Sequence, residues 1–306
     1  NAFTSKEFTA YFCRVPAAEL GLTLELLGDV LTSPALREVD IESERQVILE
    51  ELAMDDDAPD DTAYRLFAEA LFPGHPLGRE TAGDPATVSA ITPVDVRRFF
   101  ADHYRVGSMV LAVAGPVDHD DLVTVVRERF AAAQPGTAAV ERSAPATAPV
   151  PFAGEERDSE QVHLLIGGRA LARQDPDREA LDVVSHVLGG GPSSRLFQSI
   201  REERGLAYAT DAGTSVYADA GLFAAYAATG SDHAEQVLGL MEAELASIVE
   251  HGITEDELDI AKGYLTGAFA MAFEGTASRA ERLGSALTTY GSIRSVEDQL
   301  ARWQRV

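Results

Sequence analysis

Between residues 6 and 54 the chain reads as a strand, a long amphipathic helix, a short break and a charged amphipathic helix, and the same order returns between residues 221 and 275. This repeat constrains the fold more than any single motif, because a supersecondary unit with an apolar face cannot bury that face alone. Laying Ile41 on Leu258 puts Arg45 on Lys262, Glu44 on Ala261 and Glu51 on Ala268. In the first copy the apolar residues Ile41, Val47, Ile48, Leu49 and Leu52 fall mostly on one side of a helix. Glu44 and Glu51 stand seven residues apart, two turns along that stripe. Carboxylates beside an apolar face must be hydrated, paired or coordinated, since burying one alone is very costly. Surface glutamates pairing with Arg45 or with nothing are one reading. A specific role is the other, because a helix that only needed solubilising would keep some polar residue in both copies.

The 306 residues exceed one ordinary core and predict two domains. A formal charge of −25 argues against nucleic acid as a partner and favours cationic ones such as basic peptides. No stretch reads as a signal peptide or approaches the roughly 18 apolar residues of a membrane span, so no membrane partner is expected. Cys13 is the sole cysteine, which excludes an intrachain disulfide and suggests a cytoplasmic setting. The chain opens at Asn1 without an initiator Met. A segment lost upstream is therefore expected.

Alternation over Lys6–Val15 predicts a strand, and Leu20, Leu24, Leu27 and Leu31 predict a helix. The acidic run from Glu50 to Asp61 reads as a loop. Thr92-Pro93 and Thr254 with Glu257 are helix starts, and Ser108–Ala114 is a short apolar strand. Residues 134–153 carry four prolines and only two charged residues, which marks a linker. Beyond it come a strand from Gln161, a helix ended by Gly189-Gly190-Gly191, a helical Ser193–Arg204 and a strand pair at Tyr208–Val216 and Gly221–Ala228.

Several stretches together resemble the pitrilysin/insulinase peptidases, the closest branch being the bacterial relatives of the mitochondrial processing peptidase. They are Asn1-Ala-Phe-Thr-Ser5, the Glu44–Glu51 helix, Gly74-His-Pro-Leu-Gly-Arg79, Leu188-Gly-Gly-Gly-Pro-Ser-Ser-Arg-Leu-Phe197 and Ile200-Arg-Glu-Glu-Arg-Gly-Leu-Ala-Tyr208. The resemblance implies an α+β fold of two homologous domains, each an antiparallel sheet with helices mainly on one face, closing as a clamshell around a chamber. We place them at 1–133 and 154–306.

It also implies one Zn²⁺, held by the two histidines of an H-x-x-E-H motif and a distant glutamate. That glutamate matches Glu51, and Glu44 matches an acidic residue that orients a zinc-bound histidine. Arg201 and Tyr208 match a pair that reaches the bound peptide, the Tyr hydroxyl donating to the scissile carbonyl oxygen. Gly189, Gly190 and Gly191 match a substrate-handling loop. Asn1, Ala2, Phe3 and Thr4 match an edge strand onto which an extended peptide adds.

One departure is plain. No two of the seven histidines stand four apart, so H-x-x-E-H is absent from these residues and is expected upstream of Asn1. The implied activity is zinc-dependent endopeptidase action on short or unfolded peptides; the acidic charge favours basic ones, and a homodimer is one assembly that the sequence leaves open. The alternative is a non-catalytic subunit or peptide-binding scaffold of the same fold.

Overall fold

The computed structural model describes residues 1–138 and 140–306. The chain opens with β1 (Ala2–Thr4), β2 (Thr9–Tyr11), α1 (Leu20–Thr32), α2 (Glu38–Asp57) and α3 (Pro59–Leu71). Next come α4 (Pro85–Ala90), α5 (Pro93–His103), α6 (His119–Arg129) and, past the proline-rich stretch, β3 (Val162–Ala170). The remainder is α7 (Arg178–Gly189), a π-helical turn Phe197–Glu202, β4 (Ala207–Val216), β5 (Gly221–Thr229), α8 (Ala234–His251), α9 (Glu255–Ala272), α10 (Thr276–Tyr290) and α11 (Val296–Arg305). Helices and small antiparallel sheets make the fold α+β.

Neither of the two compact units is continuous. The first comprises Asn1–Ala53, Thr81–Arg142 and Ala272–Ile293, and the second comprises Met54–Glu80, Ser143–Met271 and Arg294–Val306. This partition differs from the division at residues 134–153: the proline-rich stretch is shared, and Met54–Glu80 packs with the later sheet. The reason lies in α3. Phe67, Leu71, Phe72 and Leu77 pack with Tyr217, Ala220 and Leu222, and Tyr64 stacks on Tyr226 with ring centroids 5.6 Å apart. Arg169 of β3 donates to the Leu71 carbonyl at 2.7 Å, a cation at the C-terminal end of α3.

The second unit holds most of the dry core. Its sheet runs β3-β5-β4, antiparallel throughout, with Val162 opposite Thr229 and Ala170 opposite Gly221. Alternation along β5 sends Phe223, Ala225 and Ala227 to one face, where they meet Leu188, Leu196, Ile200, Val237 and Met241. The alanines let the helices come close. At Gly189 a Cβ would lie 2.1 Å from the Ala212 backbone nitrogen, so the last turn of α7 touches the β4 main chain. Helices therefore lie on both faces of this sheet, α7 and α8 on one and α3 on the other.

In the first unit Leu24 and Val88 are the buried hydrophobic side chains among the described residues, while Leu22, Leu26, Val30 and Phe99 are exposed. The β1–β2 hairpin pairs Ala2 with Tyr11 and Thr4 with Thr9. The expected strand at Ser108–Ala114 is absent from the described ladders: Val106–Ser108 is a 3₁₀ turn and the rest pairs with no strand. Val110 and Leu111, each 40% exposed, show why, since an apolar run without a neighbouring strand has no ladder to join. The acidic run at 50–61 is helical rather than a loop, broken only at Ala58 between α2 and α3. Pro59 starts α3 at its first position and Asp60 and Asp61 occupy the first turn, where carboxylates suit the helix dipole. Thr92 and Thr254 open α5 and α9 as capping residues, with Asp95 and Glu257 reaching back.

Gly189→Ala should lower stability by about 2 kcal/mol or more through overpacking. Urea unfolding checks this as a lower midpoint with an unchanged slope. An unmoved midpoint would show that α7 and β4 separate freely.

Candidate functional site

The best-formed constellation lies in the second unit, at the start of β4. The π-helical turn carries a Glu203 N–H to Gln198 C=O bond of 3.0 Å, spanning five residues, and Leu206 N–H reaches the Ile200 carbonyl at 3.0 Å. Leu196 and Ile200 point into the core and are fully buried. Phe197 and Arg201, on the other side, stay partly open. Thr229 Oγ1 donates to the Leu206 carbonyl at 2.6 Å and pins the entry into β4.

There the ladder skips a residue. Ala207 pairs with Thr229 and Ala209 with Ala228, which leaves Tyr208 unpaired in a bulge. A bulge re-aims its side chain, and Tyr208 is 77% exposed. The Arg201 guanidinium lies 4.5 Å from the Tyr208 ring centroid and 4.7 Å from that of Phe197, and it donates to the Tyr208 carbonyl at 3.0 Å. A planar cation between two rings, next to a solvent-facing phenol, offers N–H and O–H donors to an incoming carbonyl. Arg201 and Tyr208 are thus brought together. Phe197 was missed by sequence reasoning, although its four-residue spacing to Arg201 across a helical segment was a usable signal.

Glu44 and Glu51 are both exposed on α2. The stripe that α2 half-buries is Ile41, Arg45, Ile48, Leu49 and Leu52, and the glutamates flank it. Arg45 pairs with neither. It bonds the carbonyls of Val88 and Ile91 (2.7 Å to Ile91) at the end of α4, and Glu42 at 3.1 Å. At the Glu44 position the contrast between the repeats has a packing cause. Ala261 is 1% exposed, set against Val183 and Val187, so α9 has no room for a carboxylate there. The alanine opposite Glu44 is thus set by packing, whereas Ala268, opposite Glu51, is only half-buried.

Among the described residues no three His, Cys, Asp or Glu side chains gather to hold a metal ion. Glu51 alone does not make a zinc site, which needs three protein ligands or more.

The glycine turn is explained by packing. Gly189 abuts β4 as above, a Cβ on Gly190 would meet His186 Nδ1 at 2.1 Å, and Gly191 has φ +153°. Behind the turn, a recess of about 100 Å³ is lined by His186, Val187, Ile260 and Tyr264 among others. His186 stacks on Tyr264 at 4.3 Å, and burial pushes its imidazole below its ordinary value. Beyond the turn Arg195 grips Glu257 through two bonds of 2.6 and 2.8 Å. Of the stretch Asn1–Thr4, residues 2–4 form β1, exposed and paired with β2 alone. Its outer edge therefore faces no other strand among the described residues.

Against known proteins, a family model described as "Peptidase M16 inactive domain" matches residues 90–265, and one described as "Insulinase (Peptidase family M16)" matches residues 1–85. An uncharacterized zinc protease of Streptomyces coelicolor is 41% identical over 99% of this chain and 67% of its own length. The chain belongs to the M16 insulinase family of peptidases. Another relative, an uncharacterized zinc protease of Mycobacterium tuberculosis, is 40% identical over 100% of this chain and 71% of its own. The M16 inactive-domain structure from Pseudomonas fluorescens superposes with a TM-score of 0.84 at 23% identity, covering 95% of this chain and 69% of that one. A Helicobacter pylori protease gives 0.84 at 22% identity over 100% and 76%. At such identities these two structures speak for the fold. None of the helices described in this M16 chain is long and apolar enough to cross a membrane.

Two outcomes follow from the local chemistry. Zinc added to the 306-residue protein should find no stoichiometric site at Glu51, and one-to-one zinc by calorimetry that disappears in Glu51→Gln would contradict this. The second concerns pH. The Arg195 hydrogen bonds, with help from Thr254, hold the Glu257 carboxyl down at about 2 against desolvation. A carboxyl depressed in the folded state adds stability above its unfolded value, about 4.3, and loses it as pH falls toward the folded one. The urea midpoint should therefore drop between roughly pH 4.3 and 2 more steeply in the unaltered protein than in Glu257→Gln; parallel profiles would remove the assignment.

Proposed function

We propose that these residues belong to a zinc-dependent endopeptidase that cleaves short or unfolded peptides inside an enclosed chamber. The observation that carries the reading is the exposed Tyr208 phenol, re-aimed by its bulge and flanked by the Arg201 guanidinium. Relatives named zinc proteases that match nearly the whole chain support it. In this reading the Tyr208 hydroxyl donates to the scissile carbonyl oxygen as charge develops, and Arg201 holds a neighbouring backbone carbonyl. Bound zinc would supply Lewis-acid chemistry in such a peptidase. Glu51 would be one of its ligands and Glu44 would orient a histidine ligand, with both histidines supplied from outside these 306 residues.

The peptide would add its main chain to the free edge of Asn1–Thr4 and pass the Gly189–Gly191 turn. A charge of −25 favours basic peptides.

In the full-length protein Tyr208→Phe should keep zinc and lower kcat about a hundredfold, the scale of one oxyanion donor. Glu51→Gln should release the metal. Steady-state cleavage of a quenched peptide together with metal content reads both, and an unchanged kcat in Tyr208→Phe would discard the role given to the phenol.

A further inference from the structure

Phe197 has no role in the reading above, yet it touches the group that reading depends on. Arg201 is long and flexible, and it sits next to competitors in an acidic chain. Glu202 Oε1 lies 4.0 Å from its Nε, a loose and exposed contact, while Glu203 is engaged by Arg204 at 2.8 Å. Among the described residues one strong bond fixes the guanidinium, the 3.0 Å donation to the Tyr208 carbonyl. What remains to hold its plane is the pair of rings, Phe197 at 4.7 Å and Tyr208 at 4.5 Å, both within cation–π range.

We propose that Phe197 is a positioning residue: with the Tyr208 ring it clamps the Arg201 guanidinium and presents the remaining N–H edge to a peptide carbonyl, away from Glu202. The proposal rests on the peptide-contacting roles given to Arg201 and Tyr208. The fold places Phe197 for this task. Ile200 and Leu196 anchor the π-helical turn in the core, so Phe197 is carried on a rigid element and is itself only half-buried. A guanidinium spreads its charge over a plane that stacks on rings, whereas an ammonium does not, so lysine could not replace Arg201 in this clamp.

The test uses two readouts. In the 306-residue protein, nuclear magnetic resonance should show the Arg201 Nε–H proton shifted upfield by the two rings, with Phe197→Leu losing much of that shift and Phe197→Tyr keeping it. In the full-length protein, Phe197→Leu should lower kcat/KM roughly 3- to 30-fold, the factor a cation–π contact provides, and Phe197→Tyr should stay near the unaltered value. Adding Glu202→Gln to Phe197→Leu should restore most of the loss, which a merely structural defect would not allow. The proposal is overturned by an unshifted Arg201 proton in the unaltered protein, by full turnover in Phe197→Leu, or by a failure of Glu202→Gln to restore it. Full turnover in Arg201→Ala removes the premise and the proposal with it, and is recognisable because the ring shift in the unaltered protein would still report the clamp.

Discussion

The contact between the last turn of α7 and the main chain of β4 sets the geometry that Arg201 and Tyr208 inherit. Gly189 permits it, and the small side chains Ala212, Ala225 and Ala227 extend it across the sheet. With α7 held so close, the chain must reverse sharply through Gly190 and Gly191 and re-enter the core at Leu196 and Ile200. Those two side chains leave Phe197 and Arg201 on the open side, and Thr229 fastens the return into β4. Close packing at one glycine thus propagates, through rigid neighbours, to a phenol at the start of the same strand.

The Arg195–Glu257 pair reinforces the same arrangement. It joins the segment after the glycine turn to the first turn of α9, where the Glu257 carboxylate also accepts from Thr254 N–H at 2.7 Å. One carboxylate therefore caps a helix and holds an arginine together. Removing it would leave Arg195 with Ser247 at 3.3 Å and the Gly252 carbonyl at 3.1 Å. The pair is partly shielded from water, so it keeps more of its strength than a surface pair does.

Helix starts were the most legible part of the sequence, because a cap such as Thr92 with Asp95 is a local device that needs no partner from afar. The strands β4 and β5 were readable for a similar reason, being joined by a short hairpin. The strand expected at Ser108–Ala114 failed because a ladder is a property of two segments, and apolar periodicity reports only one. The acidic run at 50–61 was misjudged because Asp60 and Asp61 lie where a helix welcomes negative charge. The division into units was illegible for a tertiary reason: α3 belongs by sequence to the first half and by its apolar face to the second. At the site, neither the bulge at Tyr208 nor the stack on Phe197 has a signature in composition. Arg201 and Tyr208 were found through family resemblance alone. The repeat misled for Glu44, since Ala261 answers to the packing of α9 on α7.

The uneven distribution of buried apolar side chains has a dynamic consequence. Among the described residues of the first unit, Leu24 and Val88 are the buried hydrophobic side chains, whereas the second unit buries a continuous cluster around Leu188, Ile200, Val237 and Met241. Local stability follows buried contacts, so backbone amides along α1 and α5 should exchange with solvent before those of β5. The helix α2 spans that contrast. Its last turn is fastened by Arg157, which bonds the Asp56 carboxylate at 2.8 Å and the Asp56 carbonyl, while its earlier turns rest on thinly packed neighbours. Arg45, next to Glu44, bonds the carbonyls of Val88 and Ile91, so the helix that carries both glutamates is tied down near its start as well as at its last turn.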